Sequence, residues 1–305
     1  MANGSIITIK GKNTALYRSY TENGDLSATL YLAPTKIQLG LSNGTPLITD
    51  TTLDYPIPYV DGVVNDNGDN QLTGSDGGDN TTDNVTTYKE GAGASDVTAQ
   101  NLITTGSDTT KTWTITNLAT LGTVIDSAKY GSMWLYIKDS TALAKIVSVE
   151  LKLGSDASNY YSVTFLNAAL SVGWNWITNP NTIISGWTET SSVGAPIDTF
   201  IIEVITGAAA DAFIAGDLIY DLLRTWSLDD TKNSFQATYP TFDYVNNEVT
   251  IRSYFTTLQA NGFLINGIGI YNEDTMPLLL GEDTITGESK SLTDEFAFVV
   301  VDRVL

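Results

Sequence analysis

Apolar and polar positions along this chain alternate in short runs, and no run keeps a helical period long enough to make an amphipathic helix. The clearest run is Lys145–Leu153, where Val147, Val149, Leu151 and Leu153 fall on one face and Ser148, Glu150 and Lys152 on the other. A period of two is that of a half-buried antiparallel strand. Trp113–Ile115, Ser132–Lys138, Tyr160–Phe165, Trp174–Thr178, Thr199–Ile205 and Asp217–Trp226 read the same way. Turn formers such as Gly154-Ser-Asp-Ala-Ser-Asn and Asn179-Pro-Asn separate them, at the spacing of an all-β sandwich. Gly207-Ala-Ala-Ala-Asp-Ala-Phe suggests one short helical turn.

The two ends of the chain carry weaker runs. Ser5–Ile9, Ala28–Ala33 and Lys36–Leu41 come before the central stretch, and Glu248–Phe255, Phe263–Tyr271 and Glu295–Val301 after it. Asn261-Gly262 predicts a tight hairpin between the first two of the later runs. Pro46, Pro56 and Pro58 interrupt the early part, where ladders and helix are disfavoured. Asp61–Asn84 is rich in Asp, Asn and Gly with no Lys or Arg, so it predicts a mobile linker. Its Asp66, Asp69, Asp76 and Asp79 lack the spacing of a calcium loop.

The expected fold is therefore all-β: an antiparallel jelly-roll β-sandwich inserted into a smaller, discontinuous β domain. Residues 85–226 form the sandwich, and residues 1–62 with 233–305 the outer domain, which serves as an anchor. Residues 63–84 and 227–232 are the linkers. All six tryptophans lie within the sandwich stretch.

Composition removes several functions. The chain has no histidine and no cysteine, which excludes Ser-His-Asp catalysis, histidine–zinc sites, thiolate chemistry and disulfides. Fifteen Lys and Arg against 35 Asp and Glu give a net charge of −20, which would repel a phosphate backbone. Nucleic acid is not an expected partner. Nor is a membrane, because no run approaches the roughly 20 apolar residues of a span. The first residues lack the pattern of a signal peptide, which predicts synthesis in a cytoplasm. No pair of carboxylates is singled out for glycoside hydrolysis, so the expectation is a protein that is not an enzyme.

Two chemistries stay open. Oxygen-ligand calcium is the one metal site these residue types permit. Flat aromatic rings with polar rims suit the apolar face of a sugar. Trp134, Tyr136, Tyr160, Tyr161, Trp174, Trp176 and Trp187 are the candidates. Trp174-Asn-Trp176 places both indoles on one face, and Trp134 with Tyr136 shares a face opposite Met133, Leu135 and Ile137. Trp187, after Ser185-Gly186 in a polar loop, is the preferred exposed platform, and core packing is the competing role for most of the others.

Two resemblances add to this. The stretch from Glu90-Gly-Ala-Gly-Ala to Ile219-Tyr220-Asp221 resembles carbohydrate-binding-module and galactose-binding-like jelly rolls. The resemblance implies a structural calcium ion held by Glu90 and Asp221, and a glycan ligand. The outer segments resemble virion proteins of tailed viruses, of the tail-fibre and appendage type. They do so through Lys36-Ile-Gln-Leu-Gly-Leu-Ser-Asn-Gly-Thr-Pro, Thr49-Asp-Thr-Thr-Leu-Asp-Tyr-Pro-Ile and Asn261-Gly-Phe-Leu-Ile-Asn-Gly-Ile-Gly-Ile-Tyr-Asn. That implies a structural protein of the virion (capsid decoration, head fibre or tail appendage), built as a homotrimer among other virion proteins. Its jelly roll would be displayed toward host glycans. The alternative is a carbohydrate-binding module of a cellular surface or secreted system.

Overall fold

The structure is a computed structural model. It describes residues 6–7, 34–41, 53, 56–57, 63–66, 72–74, 79–89, 98–105, 108–116, 129–178, 188–194, 197–227, 231–243, 248–257, 259–260, 262–272, 279–290 and 295–303. The chain divides into two compact units, Met1–Asp61 with Leu228–Leu305, and Gly62–Ser227. In chain order, the first unit opens with β1 (Ile6–Ile7) and β2 (Pro34–Gly40). The second contains β3 (Val63–Asp66), β4 (Thr73–Gly74), β5 (Asn80–Asn84), β6 (Ala99–Ile103), β7 (Thr110–Ile115) and β8 (Lys129–Ile137). After helix α1 (Ser140–Lys145) follow β9 (Ile146–Gly154), β10 (Tyr160–Leu166), β11 (Gly173–Thr178), β12 (Thr188–Thr190), β13 (Thr199–Thr206) and β14 (Leu218–Ser227). The first unit resumes with β15 (Lys232–Ser234), β16 (Thr241–Asp243), β17 (Glu248–Phe255), β18 (Leu264–Asn272), β19 (Leu279–Ser289) and β20 (Phe296–Arg303).

The Gly62–Ser227 unit is an antiparallel β-sandwich. One sheet has the order β12-β10-β9-β13-β7-β4 and the other β11-β8-β14-β6-β5, with β3 also paired to β14. Between them lie Trp113, Met133, Leu135, Ile137, Val149, Leu151, Leu153, Phe200, Ile202, Val204, Tyr220 and Leu223, all fully buried. The predicted strands of this stretch are all present, within a few residues at their ends.

Close packing of strands sets some positions absolutely. A Cβ on Gly154 would lie 2.1 Å from the carbonyl oxygen of Asn159 and 2.7 Å from the Tyr160 Cα. Both obstacles are backbone and cannot swing aside. Gly154→Ala is therefore expected to destabilise the sandwich by about 1–3 kcal/mol in urea unfolding. An unchanged midpoint would mean that β9 and β10 part readily enough to admit a methyl group.

Several expectations are corrected. Val147 does not join the core face of β9 but is exposed, and Ile146 takes its place inside. Ser148 pairs Ile205 while Ile146 pairs Thr206, so β9 carries an extra residue, a bulge that turns Val147 outward. Strand β9 starts after Lys145 because Asp139 caps α1, its carboxylate accepting the Thr141 and Ala142 N–H groups. The turn expected to be helical at Gly207 is instead closed by Asp211, which accepts the Ala208 N–H.

The 63–84 segment is no bare linker, since β3, β4 and β5 pair into the two sheets. Leu72 joins the core, and polar side chains hold the rest in place. The Asn101 amide donates to the Thr82 and Asp83 carbonyls and to the Thr82 hydroxyl, while its oxygen accepts from Asn84 and the Gly216 N–H. Asp79, buried at the β4–β5 crossover, accepts the Thr105 N–H. The second expected linker, 227–232, is likewise shortened, by β14 reaching Ser227 and β15 starting at Lys232.

In the other unit, β1-β19-β18-β2-β15 form one sheet and β16-β17-β20 a second. Gly262 is not the turn of a β17–β18 hairpin, because those strands lie in different sheets, β17 pairing β16 and β20 and β18 pairing β19 and β2. Gly262, at φ 77°, and Ala260, at φ 53°, instead carry the chain from one sheet to the other. Ala28–Ala33 lies outside the described residues. Among the described residues no helix is long and apolar enough to cross a membrane.

Candidate functional site

Strand β8 buries Met133, Leu135 and Ile137 in the core and turns Trp134 and Tyr136 to the opposite, outward face of its sheet. Its neighbour β11 does the same with Trp174 and Trp176, as the alternation predicts. The register sets Trp174 opposite Tyr136 and Trp176 opposite Trp134. The Tyr136 and Trp174 rings are 5.3 Å apart at 59°, and the Trp134 and Trp176 rings 6.3 Å apart at 32°. Trp226 of β14 extends the row, stacking on Trp176 at 6.3 Å and 18°. Five aromatic rings from three strands thus form one band. Strand geometry spaces same-face residues about 6.6 Å along a strand, with neighbouring strands about 4.8 Å apart.

The rings differ in what they present. Trp134 and Trp226 are buried, at 7% and 5% exposure, whereas Tyr136, Trp174 and Trp176 are partly exposed. One reason is the connection after β5, which reaches over the sheet. Its Lys89 ammonium stands 4.2 Å from the Trp134 ring centroid, a cation–π contact. The Lys89 N–H donates to Asp221 Oδ2 at 2.6 Å. Asp221 sits on β14 directly opposite Trp134 and is 1% exposed. A bulge follows it: three steps along β14, Asp221 to Arg224, match two along β8, Trp134 to Ser132. Leu222 absorbs the extra residue in left-handed backbone, at φ 54°. The bulge restores the phase, so Arg224 returns to the outward face and Leu223 to the core.

Of the sequence-derived candidates, Trp134, Tyr136, Trp174 and Trp176 are therefore brought together, and Trp187 and Glu90 lie outside the described residues. Trp226 was missed as a member because alternation within one strand says nothing of which strand lies two places away. Tyr160 and Tyr161 belong to the other sheet. Tyr160 lies beneath the Lys152 ammonium at 4.7 Å, and Tyr161 packs against the core. Trp113 is wholly a core residue. No cluster of three carboxylates suited to a metal stands among the described residues.

A cluster of charge lies on the outward face of the other sheet. Glu150 and Glu203 face each other across β9 and β13, with Lys152 Nζ 3.5 Å from the first and 2.8 Å from the second. Burial pulls the Lys152 pKa down, but the hydrogen bond and charge of Glu203, with the charge of Glu150, outweigh it and hold the pKa above the ordinary lysine value. Both carboxylates are engaged by this ammonium, an arrangement that holds strands together.

No family model matches the chain, and no curated protein does. Among solved structures, one from a study of promiscuous specificity in carbohydrate-binding modules of the β-sandwich superfamily is similar at 14% identity and TM-score 0.35. That match covers 56% of this chain and 62% of the other, so the chain spans somewhat less than two thirds of that structure's length. A second, a carbohydrate-binding module in complex with β-1,4-galactotriose, is similar at 12% identity and TM-score 0.27, over 51% of this chain and 86% of that one. A third, an arabinose-bound α-L-arabinofuranosidase, is similar at 12% identity and TM-score 0.34, over 55% of this chain and 25% of its own.

Proposed function

We propose that the Gly62–Ser227 sandwich is a non-catalytic carbohydrate-binding unit whose ligand lies on the outward face of β11 and β8. Tyr136, Trp174 and Trp176 would contact the sugar rings, and Trp134 and Trp226 would form the packed base beneath them. The observation that carries this reading is the position of the band. The core between the two sheets is filled without these rings, so packing the sandwich does not account for them. Aromatic rings kept in rigid register at a surface are the usual means of gripping the apolar faces of sugars. The virion role expected from the outer segments has no comparable support among the described residues, and we place the carbohydrate reading ahead of it. The test is affinity electrophoresis of the full chain through gels containing soluble neutral and acidic polysaccharides. Retardation by at least one is expected; free migration through all of them would end the proposal.

A structural calcium ion at Glu90 and Asp221 is part of the same proposal. Its support is that Asp221 is a buried carboxylate on the last strand of the sandwich, held in place by the backbone next to Glu90 in sequence. The ion would supply charge neutralisation and tie the strands together. Saturating calcium is expected to raise Tm by about 5–10 °C over the EDTA-treated protein, for an ion present at a hundred times its Kd. Asp221→Asn is expected to abolish that difference. Identical melting with and without EDTA would remove the ion.

A further inference from the structure

The outward face that carries the aromatic band is not open throughout. Residues directly opposite each other in an antiparallel pair share a face. Ile219, opposite Tyr136 on one side and Asn101 on the other, therefore faces outward with them. Yet Ile219 is 1% exposed without belonging to the core between the sheets, and Asn101, Asp221 and Arg224 of the same face are buried too. These side chains are covered from outside. The platform thus has a wall along its β14 side, where Lys89 stands over Trp134.

The far end of β11 is closed in the same way. Thr178 stands opposite Ser132, two positions past Trp176 and two before Trp134, so both face outward. They are 3% and 1% exposed, and the Thr178 hydroxyl donates to the Gly131 carbonyl at 3.2 Å. The near end is open. Val172, just before β11, is 49% exposed. Lys138, two positions past Tyr136, has a half-exposed side chain that pairs with Asp217 at 3.1 Å. Among the described residues β11 is also the edge of its sheet, so no strand walls its outer side.

The strip of Tyr136, Trp174 and Trp176 is therefore closed toward β14 and toward Thr178, and open toward Lys138 and past the edge of β11. A straight chain of sugars crosses a platform only where two opposite sides are open. Here each open side faces a closed one, so a chain that enters must stop on the platform. We propose that this site takes the end of a glycan chain and not its interior. With the chain lying along β11, Trp176 takes the terminal ring, and Trp174 with Tyr136 takes the ring behind it. The inference rests on the carbohydrate reading above, and its test separates the two.

The full chain is titrated by isothermal calorimetry with β-1,4-galactan, xylan, laminarin and alginate, each intact and after partial acid hydrolysis. For a polymer that binds, cutting it to about a tenth of its length is expected to raise the sites per gram about tenfold, at an unchanged Kd per site. The rise follows the number of chain ends. Trp174→Ala is expected to weaken binding of both preparations alike. Sites per gram that stay constant or fall on hydrolysis would mean interior binding, overturning the inference while leaving the carbohydrate reading in place. A rise that Trp174→Ala leaves untouched would put the chain ends elsewhere on the protein and overturn it too. No heat with any of the polymers would end both.

Discussion

Trp174→Ala is expected to lower the affinity for a bound polysaccharide by about 30-fold or more, the effect of losing a central aromatic anchor worth about 2 kcal/mol. Trp174 is the cleanest position at which to ask. Its ring is partly exposed and meets Tyr136 at 5.3 Å, while the tryptophans at the base of the band pack against Trp176. Removing it should leave Tm nearly unchanged. Trp176→Ala should lower both affinity and stability, because that ring also packs on Trp134 and Trp226. Isothermal titration of the two variants beside thermal melting separates binding from folding. Undiminished affinity in both variants would mean that the sugar binds elsewhere, whatever the unmodified protein retains.

The second large effect concerns stability. Lys152→Ala is expected to destabilise the sandwich by about 3 kcal/mol, since breaking a buried ion pair leaves its charges uncompensated. The three side chains are 9%, 20% and 18% exposed for Lys152, Glu150 and Glu203, so water screens them little. Without Lys152, two carboxylates remain at directly opposed positions of β9 and β13. Adding Glu150→Gln and Glu203→Gln should recover most of the loss. The pH dependence has a definite sign. Because the folded-state pKa of Lys152 is raised, its contribution is complete below the unfolded lysine value near 10.4 and is lost as pH rises through the folded value. Urea midpoints of the native chain should therefore fall in alkali more steeply than those of the triple variant. Equal slopes would show that the cluster contributes nothing.

Much of the sandwich was legible beforehand. The strands at Ser132–Lys138, Trp174–Thr178 and Thr199–Ile205 appear nearly as read, because alternation is a property of a few adjacent residues and needs no partner to be seen. The pairing of Trp134 and Tyr136 on one face, and of Trp174 and Trp176 on another, follows from the same period. Among the strands missed, β5 shows the reason most plainly. Asn-Thr-Thr-Asp-Asn of β5 has no apolar face to reveal it and is held by its ladder to β6 and by the Asn101 amide. Composition spoke for a linker there, and long-range hydrogen bonds decided otherwise.

The sequence by itself determined an all-β chain without histidine or cysteine chemistry, with its tryptophans gathered in one stretch and two aromatic pairs set on strand faces. Only the tertiary structure decided that β11 lies beside β8, which merges the two pairs, and that Trp226 of β14 completes the row. It also decided which rings are covered, through Lys89 arriving from a connection more than forty residues before Trp134. The bulges at Val147 and Leu222 belong to the same class, for each corrects the phase of one strand against a neighbour distant in sequence. Periodicity is written in the local backbone geometry. Which face meets the core, and what lies over the other, is settled by strands that meet only when the chain has folded.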